Sequence, residues 1–401
     1  MKECKKRLKS FIKAALFVFC GMALGFVLSV YLRECLATYT EDLGIESGFL
    51  ANMLLLAVFI LIFYVVFYIN IFLHELGHLI FGLLTGYKFS SFRIGGLMLI
   101  RLDGKLRLRR YSLVGTGGQC LLSPPEENDK KAKKPYVLYN LGGVLFNLIS
   151  GLVSVLLLLN LRGGMILNMI LLSNAAIGIF VFLTNGIPLT VGVVDNDGKN
   201  ALMLGKSSAA LEAFYKQMRI AAESSKGVSL CEMPDDLFEI SRENDGSNET
   251  NAIIRAISVF HCNRLMYPDS LKEAKEEIDA LLEDREGILE LHRRLLICDR
   301  IYCALALVEN EADKIVKGLL DKKQKSFMRS MKKYPSVLRT EYAISLIYNK
   351  DSEMAKKIKG TFDKVSKSYP YRAEITDEKR LIDYCCLINF NKYSKFEKSE
   401  D

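Results

Sequence analysis

Long apolar runs fill the first half of the chain, and a charged sequence with helical spacing fills the second. Four runs reach the ~20 residues that a helix needs to cross ~30 Å of hydrocarbon. They are Phe11–Leu32, Phe49–Leu84, Tyr136–Asn160 and Met165–Thr184. The second is much longer than one crossing requires, so it must tilt, break or protrude. No small-residue cleavage site follows the first, which reads as a retained helix and not a signal peptide.

Between the second and third runs the pattern changes from helical to alternating. Leu97-Met-Leu-Ile-Arg-Leu-Asp-Gly-Lys-Leu-Arg-Leu-Arg109 turns at Asp103-Gly104, a β-hairpin signature. Lys105, Arg107 and Arg109 fall on one side of the ribbon, and Leu106 and Leu108 on the other. Such a ribbon can lie on the membrane surface as an ordinary hairpin, or offer an edge to an extended peptide. Gly115-Thr-Gly-Gly118 reads as a turn, since no phosphate-binding lysine follows it, and Lys130–Lys134 reads as an interfacial charge run.

In the second half, Ala201–Ser225 has helical spacing, and residues 226–250 are polar enough to serve as a linker. Seven further helical segments are expected: Ala252–Leu265, Leu271–Leu282, Gly287–Val308, Glu311–Lys332, Leu338–Tyr348, Ser352–Ser368 and Glu378–Ile388. Helices of this size suggest an α-solenoid, although no clean repeat period is present; a plain helical domain is the simpler alternative. The fold expected is therefore an α-helical polytopic membrane protein with about four transmembrane helices and a small β-hairpin segment, followed by an all-α soluble domain. The divisions expected are 1–48 (first helix and external loop), 49–200 (core), 201–250 (helix and linker) and 251–401 (cytosolic helical domain).

Charge orients these spans. The chain has 401 residues, 50% of them hydrophobic, and a net charge of +8. Five Lys/Arg precede the first span and eleven lie in 87–134, whereas 33–48 carries one, with four acids, and 161–164 carries one. The positive-inside bias places both termini and the 87–134 loop in the cytosol of a multi-pass cell-membrane protein. Because much of the charge flanks membrane segments, it does not indicate a nucleic-acid partner; the lipid bilayer is the expected one. The ten cysteines lack paired CxxC spacing, and six lie in the C-terminal half, which fits a reducing compartment.

Candidate chemistry sits inside the second span, at His74-Glu75-Leu76-Gly77-His78. Residues i and i+4 leave a helix on one face, so both imidazoles can reach one Zn²⁺, with Glu75 placed to take a proton from water. Each ionisable group at membrane depth costs ~2.5 kcal/mol or more, and a divalent cation compensates several at once. The motif lies 8 to 12 residues from the expected cytosolic exit near Gly86, ~12–18 Å into the membrane. The other two histidines, His261 and His292, lie in the charged helical half, where an ordinary surface or satisfied histidine is the default. A third ligand is still required. Asn185-Gly-Ile-Pro188 after the fourth span, followed by Asp195 and Asp197-Gly198, supplies carboxylates at a broken helix end, with either aspartate eligible.

These pieces together resemble the site-2 protease family of intramembrane zinc metalloproteases. His74-Glu-Leu-Gly-His78 resembles the family's first motif, and Asn185-x-x-Pro188 with Asp197-Gly198 resembles its Asn-x-x-Pro…Asp-Gly element. Gly143-Val-Leu-Phe-Asn147 is similar to its Gly-Pro-x-x-Asn, with Val144 in place of the usual proline. The resemblance covers about residues 49–200. It implies Zn²⁺ held by His74, His78 and Asp197, with Asp195 as fallback because the gap after Pro188 is long. It implies Glu75 as catalytic base, and it makes Asn147 and Asn185 candidates for substrate or oxyanion contacts; helix–helix hydrogen bonding is their structural alternative. The substrates implied are transmembrane or membrane-associated proteins or peptides, and the helical half would dock a cytosolic partner. The competing class is a non-catalytic membrane scaffold whose metal site is structural. Such sites are normally closed by four protein ligands, and three are found here.

Overall fold

The computed structural model describes residues 49–102, 104–111, 116–125, 135–161, 163–191, 194–240, 252–284 and 287–397, with a few positions between 22 and 33. The expected first span lies almost entirely outside the described residues, as do Asp103, Gly115 and the 130–134 charge run. Described residues fall into two compact units: 1–85, 135–189 and 195–201 in one, and 86–134, 190–194 and 202–401 in the other.

Among the described residues the first unit is built chiefly from three long helices, α1 (Phe49–Leu84), α2 (Val137–Asn160) and α3 (Met165–Gly186), each packed against the other two. All three are long and apolar enough to cross a membrane. Their burial is inverted relative to a water-soluble bundle. Leu54, Ile60, Leu61, Leu152, Leu156, Leu159 and Ile166 point outward, whereas Asn70, His74, Glu75, His78, Asn147, Ser154 and Ser173 are buried. Apolar side chains gain nothing by avoiding lipid, so the helices associate through small residues and polar contacts. At the α1–α2 crossing, a methyl group added to Gly77 would lie 2.4 Å from the Gly142 carbonyl oxygen, so the two backbones meet directly. After α3 the chain runs on to α4 (Asp197–Leu204). Asn196, just before it, accepts from the amides of Leu189 and Lys199 and donates to the carbonyls of Thr184 and Ile187, closing the end of α3.

The second unit begins with an antiparallel sheet of β1 (Lys88–Ile94), β2 (Leu97–Leu102), β3 (Lys105–Arg110) and β4 (Gly118–Ser123), in the order β3-β2-β1-β4. The expected hairpin is present, with Leu102 opposite Lys105 and Gly104 at φ 73°. Met98, Ile100 and Leu102 are buried, while most of edge strand β3 is exposed. Arg93 is nevertheless fully buried; it donates to the carbonyls of Gly95 (2.8 Å) and Gly118 (3.1 Å). Helix α5 (Ser208–Lys226) packs on this sheet, with the Tyr87 hydroxyl donating to that of Tyr215 at 3.1 Å. Ser207 caps its start and Gly227, at φ 93°, its end, so the single helix expected over 201–225 is broken at Leu204–Ser207.

Among the described residues eight more α-helices follow: α6 (Ala252–Leu265), α7 (Leu271–Glu283), α8 (Glu290–Ala306), α9 (Ala312–Leu319), α10 (Lys322–Ser330), α11 (Pro335–Ala343), α12 (Ser352–Ser366) and α13 (Arg372–Glu397). The segment expected as one helix over 311–332 is two, because Asp321 caps a new start by accepting from the Gln324 amide at 2.6 Å. A solenoid is not borne out. In a solenoid each repeat touches only its neighbours, whereas α8 packs against α6, α7, α9, α11 and α13 as a central helix. Its Asp299 pairs with the fully buried Arg339, whose guanidinium lies 4.5 Å from the Tyr302 ring and 3.3 Å from Glu378. Among the described residues every cysteine is a free thiol.

Candidate metal centre

Helical spacing brings His74 and His78 to one face of α1, their rings 4.8 Å apart and nearly perpendicular. Asp197, the first residue of α4, meets them. The His74 Nε2–Asp197 Oδ2 distance is 2.9 Å, His78 Nε2–Asp197 Oδ2 is 3.5 Å, and the two Nε2 atoms are 3.2 Å apart. Ligands held tetrahedrally at ~2.0–2.1 Å from zinc lie ~3.3 Å from one another, so the three atoms have the right separations.

The outer ring nitrogens settle what those atoms are. His78 Nδ1 lies 2.7 Å from the Tyr139 carbonyl oxygen, which can only accept, so the proton sits on Nδ1. His74 Nδ1 lies 2.7 Å from Asn147 Oδ1 and likewise donates. With each ring neutral, as metal binding requires, both Nε2 atoms present lone pairs, and so does Asp197 Oδ2, a buried oxygen. Three acceptors converging within 3.5 Å repel one another unless a cation lies between them. Among the described residues this is the one group of three or more His, Cys, Asp or Glu side chains placed to share a metal ion.

Close backbone approach builds the cup. A methyl group on Gly143 would lie 2.7 Å from His74 Cε1 and Nε2, so the imidazole rests against the bare backbone of α2. One on Gly198 would lie 2.0 Å from the Gly186 carbonyl oxygen, so only glycine lets Asp197 come this near the end of α3. Asp195 turns away to pair with Lys199 at 2.8 Å. Glu75 is buried beside His74 on α1. Asn185 places Nδ2 3.4 Å from His74 Nε2, at the rim of the ligand point. Asn147 lies behind His74: its Oδ1 receives the imidazole proton and its Nδ2 faces Asn70, so the helix–helix role is the one its contacts serve. Sequence reading gave Asn70 and Tyr139 no part in the site, and Tyr139 acts through a backbone carbonyl that no side-chain pattern reveals.

Two buried histidines on a lipid-length helix, met by a half-buried carboxylate from a short one, mark a membrane-associated protein with a candidate metal-binding group. The family model Peptidase family M50 matches residues 62–373, most of the chain, and the protein belongs to that family, the site-2 protease metalloproteases. No curated protein and no solved structure matches it.

Proposed function

We propose that this protein is a zinc-dependent intramembrane endopeptidase that hydrolyses peptide bonds of membrane-embedded protein or peptide precursors. The convergence of three unprotonated ligand atoms, His74 Nε2, His78 Nε2 and Asp197 Oδ2, carries this reading. Zinc held there supplies Lewis acidity and makes water nucleophilic at neutral pH. Glu75 takes the proton from that water at its carboxylate and delivers it to the leaving amine nitrogen. Asn185 Nδ2, at the rim, donates to the developing oxyanion. Tyr139 and Asn147 keep both imidazoles in the Nδ1–H tautomer throughout. The membrane is the cell membrane, with both termini cytosolic, and the helical half docks a cytosolic partner.

The test is zinc content and cleavage of a single-pass membrane peptide by purified full-length protein, wild type against Glu75→Gln. Wild type should hold one zinc and cleave; Glu75→Gln should hold zinc and lose cleavage by a hundredfold or more, the lower end for general acid–base work. Persistent cleavage in Glu75→Gln refutes the role of the base. A wild type that holds zinc but cleaves no membrane peptide favours the scaffold reading.

A further inference from the structure

Amide side chains continue behind His74, away from the ligand point, through all three helices of the bundle, buried at Asn147 and Asn70 and half-buried at Asn174. Asn147 Nδ2 on α2 donates to the Asn70 carbonyl at 3.0 Å and to Asn70 Oδ1 at 3.1 Å. Asn70 Nδ2 on α1 donates to the Val66 carbonyl at 3.0 Å and to Asn174 Oδ1 at 2.8 Å. Asn174 Nδ2 on α3 donates to the Ser150 carbonyl at 3.2 Å and to the hydroxyls of Ser150 and Ser154 at 2.9 and 2.8 Å. Asn70 and Asn147 have no exposed surface.

An amide side chain can turn over and exchange its oxygen and nitrogen, so something must fix each one. Backbone carbonyls do so here, because they only accept. The Ser150 carbonyl holds Asn174 with its oxygen toward Asn70. The Val66 carbonyl and Asn174 together hold Asn70 with its oxygen toward Asn147. The Asn70 carbonyl and side chain hold Asn147 with its oxygen toward His74 Nδ1. Were Asn147 turned over, its Nδ2 would meet His74 Nδ1, the ring proton would move to Nε2, and the lone pair facing Asp197 would be lost.

We propose that Asn70 and Asn174 are positioning residues: with Asn147 they form a relay of oriented amides that locks His74 in the metal-binding tautomer. The proposal rests on the zinc-site reading above and extends it two residues beyond any direct contact with the ligands.

The test is a double-mutant cycle on zinc affinity, measured by chelator competition with full-length protein in detergent and without reference to turnover. Asn70→Leu should weaken zinc binding about tenfold and Asn147→Leu by more, within the range of outer-shell substitutions. If Asn70 acts through Asn147, the double variant loses no more than Asn147→Leu alone. Asn174→Leu should show a smaller loss with the same non-additivity, and it carries the test if Asn70→Leu does not fold. Ser173→Ala removes a fully buried hydroxyl from the same helix but from outside the relay, and should leave affinity unchanged. Additive losses, an Asn70→Leu protein with wild-type affinity, or a wild type that binds no zinc would each overturn the relay. Zinc binding without peptide cleavage would instead refute the protease reading and leave the coupling intact.

Discussion

Gly143→Ala adds one methyl group 2.7 Å from two atoms of the His74 ring and from the His74 carbonyl oxygen. Carbon atoms in contact prefer about 3.5 Å, so the ring must retreat by about 0.8 Å or α2 must move away by as much. A ring displaced by that distance leaves Nε2 far outside the ~0.2 Å tolerance of a zinc–nitrogen bond. If α2 withdraws instead, the 2.7 Å hydrogen bond from His74 to Asn147 stretches beyond bonding distance, and the tautomer is no longer held. Either outcome damages the ligand set, so zinc affinity should fall by about a hundredfold, about 3 kcal/mol. Gly151→Ala is the control, since its methyl group would meet atoms no closer than 3.4 Å. Chelator competition and metal analysis of both variants, with circular dichroism to verify helicity, make the comparison. A folded Gly143→Ala protein with wild-type zinc affinity refutes the proposed seating of His74.

Asp197→Asn should abolish zinc retention and cleavage, whereas Asp195→Asn should keep both, because the Asp195 carboxylate faces Lys199; metal analysis of the two variants decides between the carboxylates. Gly198→Ala should also lose zinc, since its methyl group would collide with the Gly186 carbonyl oxygen, and a variant with full metal content counts against that close packing. In the helical half, burial and then the nearby Glu378 carboxylate push Glu374 up to about 8, while the Tyr369 hydroxyl donates to it. The folded protein therefore keeps a proton that the unfolded chain releases near the ordinary glutamate value, so stability falls as pH rises from about 4.5 to about 8. Burial also raises Glu378, to about 7, so melting temperatures across that window should decline in wild type and decline less steeply in Glu374→Gln; an unchanged slope in the variant assigns the pH dependence elsewhere.

Two members of the candidate metal cluster follow from a local rule, since the i, i+4 spacing of His74 and His78 makes a shared face on any helix. The third member does not: a Pro-broken helix end leaves Asp195 and Asp197 both eligible, and the preference for Asp197 comes from the family resemblance. The hairpin was legible for the same reason as the two histidines, since Asp103-Gly104 is a turn signal independent of surroundings. Asn70 and Asn174 were not legible: each is a single amide in an apolar run, and its partner lies on another helix. The break at Asp321 was missed because apolar spacing continues across it while the capping hydrogen bond does not show in periodicity. A central α8 was equally hidden, since helix lengths alone do not distinguish a row from a ring of neighbours. The composition change near residue 200 tracks the last apolar run, whereas residues 86–134 group with the helical half; packing of chain-distant segments leaves no mark on local composition.

Where Gly77, between the two histidines, meets Gly142, the backbones of the two helices touch directly. A wall of that kind cannot open by rotating rotamers; it parts only if whole helices slide. Under the proposed function, a substrate polypeptide would therefore reach the metal-binding cluster from another quarter, along a surface whose bulk is side chain and can yield. The seam of α1 and α2 would be the closed back of the site, and crosslinks placed across it should leave the entry of substrate unhindered.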